Sequence, residues 1–286
     1  PDGRRLRTDW ASDPRVGQAV VPPRLATGDP VTDAPTARPG EIAAHPKLNI
    51  TYRTDPDRVA ALLPPGIDPV GSPDVHLGIY CVPIRGEPEY GVSTKVDASW
   101  NGVVGQYSLG IGIDQEAAIF ISAETNGQPK FPCSIRYFRL GDRIEATCTH
   151  QGYTFLEYRG TVTGEVPTDG TDLEHNEWWT KYSRAVGGAE RQWDYPPHVV
   201  HVRQVSEPVH VEALEGDLVL RESPWDPYTE LLPVEEIVEA RLVTSLHKER
   251  EITNAGPLDP DAFWPYADTI GGSRWPGERG GPRSAA

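Results

Sequence analysis

Lysine is rare in this chain: Lys47, Lys95, Lys130, Lys181 and Lys248 are the only five among 286 residues. One of them, Lys130, lies between prolines in Pro129-Lys-Phe-Pro132, six residues after Glu124 and just beyond an Asn126-Gly127 turn. An ammonium held among Pro and Phe side chains loses hydration, which disfavours its charged form and lowers its pKa. A neutral amine attacks a ketone, and the resulting iminium is an electron sink. Glu124 is then the candidate to carry protons for the carbinolamine and dehydration steps. Taken alone, the same segment also reads as a bend with a solvent-pointing lysine, because most lysines are exposed.

Other constellations carry less. His198 and His201, with His210 further on, have the residue types of a metal site. Their stretch alternates as a strand, however, and residues three apart on a strand face opposite sides. Trp178-Trp179 beside Lys181 and Tyr182 suits core or subunit packing or a pocket wall. The glycines from Gly105 to Gly112 precede no helix pattern and support no phosphate cradle, and no Gly-x-Ser-x-Gly element is present.

The elements around these residues read as mostly β. Strands are predicted at 48–53, 75–80, 103–113, 117–122, 144–149, 153–166, 199–205, 210–214, 218–220 and 242–246. On this reading 117–122 is a buried strand that delivers Glu124 and the turn before Lys130. A helix is predicted over 55–63, where Asp55 precedes Pro56 and Pro64-Pro65 stop it, and a shorter one over 233–240. Many strands with Gly and Pro turns and few helices predict a mainly antiparallel sheet folded on itself. The composition divides the chain into an extended arm over 1–40, one domain over 41–270 and a flexible tail over 271–286.

A formal charge of −15 excludes a nucleic-acid or anionic-membrane partner, since phosphate binding needs clustered Lys and Arg. No apolar run reaches membrane-spanning length. Cys81, Cys133 and Cys148 have no metal-ligand spacing, and their odd number fits reduced thiols in a cytoplasmic protein.

The segment Glu124-Thr-Asn-Gly-Gln-Pro-Lys130 resembles the Glu-x4-Pro-Lys signature of acetoacetate decarboxylases and their relatives. Further landmarks keep the family's order: Asn49-Ile-Thr-Tyr-Arg-Thr-Asp55, Val59-Ala-Ala-Leu-Leu-Pro-Pro65, Trp100-Asn-Gly-Val-Val-Gly-Gln-Tyr107 and Leu232-Pro-Val-Glu-Glu-Ile-Val-Glu-Ala240. The resemblance implies a cone-shaped antiparallel β-barrel, a homo-oligomer, Lys130 as the Schiff-base lysine, Glu124 as its acid–base partner, and neither metal nor organic cofactor.

It also marks departures. Phe131 stands where the decarboxylases have a second lysine, and Gly78 where they have a cavity glutamate. A second glutamate falls near Gly91 or Val92, with Glu89 or Tyr90 able to take its space. A family arginine falls on His45, with Lys47 competing. These changes leave imine formation in place and shift the substrate or the later proton steps. Decarboxylation, aldol condensation or dehydration of a pyruvate-like or larger keto acid are then the expected reactions. Gln128, Tyr90, His45, Phe131 and Trp100 are expected to contact the substrate. The alternative is a non-catalytic protein using the same barrel to bind a small molecule.

Overall fold

The computed structural model describes residues 46–84, 87–188 and 191–267. The predicted arm, the predicted tail and His45 lie outside them. No described helix is long and apolar enough to cross a membrane.

Strand β1 (Lys47–Arg53) sets the pattern of the molecule: Leu48, Ile50 and Tyr52 are fully buried in an apolar core. Its alternate residues Lys47, Asn49 and Thr51 line a cavity on the opposite face. The chain then enters α1 (Pro56–Leu62), where the Asp55 carboxylate accepts from the backbone N–H groups of Asp57 and Arg58 and Pro56 occupies the first turn. Val59 and Leu62 are the face that α1 buries. The short β2 (Ile67–Pro69) follows, then β3 (Asp74–Ile84), β4 (Glu87–Trp100) and β5 (Val103–Ile113), paired antiparallel in succession.

After β5 the structure departs from the predicted strand at 117–122: these residues belong to a helix, α2 (Glu116–Asn126). The reason lies in the pairing of the next strand. β6 (Lys130–Pro132) runs parallel to β5, with Ile111 beside Lys130 and Ile113 beside Pro132. A parallel return needs a crossover, which α2 supplies. Gly127 closes the helix at φ 65°, its N–H on the Ala123 carbonyl, a conformation that favours glycine. As a helix, the apolar run buries Ile119 and leaves Phe120 and Ile121 exposed.

β7 (Ser134–Leu140), β8 (Arg143–His150) and β9 (Tyr153–Val166) form a meander. β10 (Leu173–Arg184) leads to β11 (Trp193–Leu220), a single 28-residue strand where three shorter ones were predicted. Its register shifts at Val205/Ser206 and Pro208/His210 accommodate Pro208 within it. After α3 (Tyr228–Leu231), residues 236–240 are strand rather than the predicted helix: they open β12 (Glu236–Pro257). Seven residue pairs, from Arg53↔Glu236 to Lys47↔Val243, fill the free edge of β1, and this outweighs local helix preference. α4 (Pro260–Phe263), which buries Phe263, and a 3-10 turn over Trp264–Tyr266 are the last described elements.

The strand order β10-β5-β4-β3-β1-β12-β11, with β10 paired again to β11, makes a closed circuit of pairings. All its links are antiparallel except β5–β10, a short parallel contact at Glu177↔Gln106 and Trp178↔Tyr107. Thus the predicted mainly antiparallel β architecture stands, with two parallel links at β5. The apolar core lies outside this circuit, where Leu48, Ile50, Val75 and Ile79 meet Ile144, Ala146, Phe155 and Tyr158 of the meander. Cys81, Cys133 and Cys148 are buried free thiols.

Candidate active site

The inward face of the circuit mixes charged, polar and apolar side chains and surrounds a cavity of about 1490 Å³. Lys130 enters it from the first position of β6. Its backbone is fixed by the parallel pairing to Ile111 and by the Ile111 N–H on the Pro129 carbonyl at 2.9 Å. The side chain is 9 % exposed, and Nζ lies 3.7 Å from Glu89 Oε2, whose side chain is 6 % exposed. Burial lowers the Lys130 pKa; the Glu89 charge opposes this, and the Arg250 charge adds to the lowering. A partly desolvated amine beside a carboxylate is the arrangement that imine chemistry requires.

Glu89 comes from β4, and its neighbour Tyr90 faces the other way, packed on the apolar core. Tyr80, opposite Gly91 in the β3–β4 pair, lies against the missing side chain: a Cβ at 91 would meet Tyr80 Cζ at 2.1 Å. Glycine here lets the tyrosine ring form part of the cavity wall.

Further along the wall, the Lys47 side chain fills the space above Gly78, where a Cβ would come within 2.1 Å of Cε and 2.6 Å of Nζ. Burial and the nearby Lys95 charge push the Lys47 pKa down to about 8, with Glu177 opposing. Lys95 is ion-paired to Glu177, which also accepts from Trp179 Nε1 at 2.6 Å. Burial works against ionisation of Glu177, but the Lys95 charge and these hydrogen bonds prevail and hold its pKa below the usual carboxylate value. Arg250 lies with its guanidinium carbon 6.0 Å from the Trp179 ring centroid.

Of the residues expected to serve the site, Lys130 and Gln128 line the cavity. Glu124 does not. It is exposed on α2, where its backbone carbonyl accepts a hydrogen bond from Lys181. The helix that replaces the predicted strand carries its side chain away, and Glu89 takes the place beside the amine.

Phe131 also faces away from the cavity, because strand alternation sends it opposite to Lys130. It is 3 % exposed, 4.8 Å from the His150 ring, with Gly112 leaving room for it. Trp100 packs on the same apolar core and Tyr90 joins it there, so neither lines the cavity. His198 and His201 have separate partners, the Pro196 carbonyl and Asn176, each at 2.8 Å. Trp178 is core and Trp179 cavity wall.

The sequence reading missed Tyr80, Lys95, Glu177 and Arg250 as wall residues and left Trp179 between core, subunit packing and a pocket wall. A signal for three of the wall positions was present in His175-x-Glu177-x-Trp179, a period of two on β10.

Comparison with known proteins agrees with this geometry. The family model described as acetoacetate decarboxylase matches residues 22–255. Acetoacetate decarboxylases of Paraburkholderia phytofirmans and Paraburkholderia xenovorans are each 38 % identical over 85 residues. That stretch is 29 % of this chain and spans only 33 % of the length of either relative. The crystal structure of acetoacetate decarboxylase from Legionella pneumophila superimposes with TM-score 0.62 at 16 % identity, covering 82 % of this chain and 92 % of the other. The enduracididine biosynthesis enzyme MppR complexed with pyruvate superimposes with TM-score 0.54 at 16 % identity, covering 78 % and 93 %. With the family model matched over residues 22–255, most of this chain, the chain belongs to the acetoacetate decarboxylase family.

Proposed function

We propose that this protein is a lyase that forms a Schiff base between Lys130 and a keto acid, with Glu89 as its proton carrier. The observation that carries this reading is the pair of nearly buried side chains, Lys130 Nζ and Glu89 Oε2, 3.7 Å apart on the wall of a large cavity. The neutral amine attacks the ketone carbon, forming the C–N bond as the carbonyl π electrons move to oxygen. Proton transfers through Glu89 allow water to leave, giving the iminium. Electrons from the adjacent C–COO⁻ or C–H bond then flow into the iminium to give an enamine. Carbon dioxide leaves in the first case; a proton leaves and the enamine attacks a second carbonyl in the second. A proton added to the enamine carbon in the first case, or the new C–C bond in the second, restores the iminium, and its hydrolysis returns the free amine and the ketone product. Gln128 is placed to hydrogen-bond the substrate from the same wall. That MppR is a relative in fold whose structure holds pyruvate supports the keto-acid class.

Borohydride reduction in the presence of acetoacetate, pyruvate and longer keto acids, followed by peptide mass spectrometry, tests the proposal. A reduced adduct on Lys130 is expected, and it disappears in K130A. No adduct from any of them would overturn the proposal and leave a binding protein.

A further inference from the structure

The cavity holds more positive charge than imine chemistry at Lys130 uses. Four of its carboxylates are engaged: Glu89 lies beside Lys130, Glu177 pairs with Lys95, Glu239 lies 2.7 Å from Arg241, and Asp114 accepts from the Tyr90 N–H. Glu87, also on the wall, is solvent-exposed. Lys47, on which the Glu177 charge also bears, and the solvent-exposed Arg250, beside the Trp179 ring, remain; both line the cavity and neither has a hydrogen-bond or ion-pair partner among the described residues. A cation on a cavity wall without a direct ion-pair partner is a site for an anionic ligand group.

Their placement specifies the spacing. Lys130, Ile111, Ser93 and Gly78 form one register-paired row across β6, β5, β4 and β3, and all four line the cavity. Three strand spacings of about 4.8 Å separate the two ends by roughly 14 Å. Lys130 leans in from one end, and Lys47 lies over Gly78 at the other. Arg250, beside the Trp179 ring on the same cavity, bears on the Lys130 amine as a charge. A three- or four-carbon keto acid reaching Lys130 leaves Lys47 unsatisfied, and a cavity of about 1490 Å³ is well beyond its size.

We propose that the substrate is a keto diacid, its carboxylate beside the reacting carbonyl held by Arg250 and its second anionic group held by Lys47. Its placement of the ketone rests on the imine reading of Lys130; its account of the second anionic group does not. Gly78 is the specificity-determining position that makes room for Lys47.

Calorimetric titration of glutarate and of butyrate, neither of which forms an imine, is the test. Glutarate is expected to bind wild type and K130A about tenfold or more tightly than butyrate does. K47M is expected to bring the two within about twofold, and K47R to restore the preference. Should K47M fail to fold, the wild-type ligand ratio and K47R still decide. Equal affinity for the two acids, or a preference that survives K47M, overturns the proposal. Borohydride trapping of 2-oxoglutarate against 2-oxobutyrate separates the two claims. A glutarate preference without any trapping removes the imine chemistry alone. Trapping without a glutarate preference removes the diacid alone.

Discussion

Lys130 and Glu89 lie 3.7 Å apart although they come from strands separated by β5, and neither touches the other's strand in sequence or pairing. The pair is made by the sheet: β6 places the amine at the row of Ile111, and β4 brings the carboxylate in beside it. With Glu89 in this place, E89Q is expected to slow imine formation by about 10²–10³, within the range for loss of a general acid–base group. E124A, altering an exposed helix residue, should leave the rate within about twofold. Stopped-flow trapping of the three proteins measures both.

The pH dependence of that rate has a defined direction. Imine formation needs the neutral amine, so the rate rises with pH through the lowered Lys130 pKa. The Glu89 charge raises this pKa against the effect of burial. E89Q removes that charge, so the rising limb should move to lower pH even as the maximum falls. A limb that stays in place or moves to higher pH contradicts the pairing.

Lys47 gives a prediction on stability. Its pKa is about 8 in the fold and higher when unfolded, so the unfolded chain binds more protons between the two values. The lysine therefore costs nothing above its unfolded pKa. Its destabilisation grows as pH falls from there and is complete below about 8. K47M should gain roughly 3 kcal/mol at pH 7, where Lys47 is charged in both states, and progressively less toward pH 10. Urea unfolding across that range reads the difference.

Phe131 and Gly91 test the packing behind the site. F131A empties a buried position in the apolar core and should cost about 3–5 kcal/mol. Because the ring faces away from the cavity, the folded variant should still be trapped by keto acids. G91A brings a Cβ to 2.1 Å from Tyr80 Cζ, part of a rigid ring, and should cost about 1–3 kcal/mol while displacing the cavity wall. Thermal unfolding with parallel trapping separates the two effects.

What could be read in the sequence was what short-range chemistry decides. Asp55-Pro56 carries its own cap, so α1 was legible, and the proline-bounded Lys130 stood out by composition and resemblance. The run 117–122 was misread because its apolar, β-branched residues suit a strand. What makes it a helix is the parallel pairing of β6 with β5, set by residues on either side of it. The error propagated to Glu124, whose role depended on that strand. Glu89 could be named only as one of two residues near a shifted position, because the β3–β4 pairing decides which of Glu89 and Tyr90 faces inward. Phe131 was the avoidable miss, since alternation alone opposes it to Lys130.

Along β1 the residues that make the core and those that face the cavity occupy alternate positions of one strand. Exchanging Lys47, Asn49 or Thr51 changes what the cavity recognises and leaves Leu48, Ile50 and Tyr52 in their contacts. Selection on what the cavity binds and selection on folding thus act on separate sets of positions, and one framework can pass from one ligand to another without first being rebuilt.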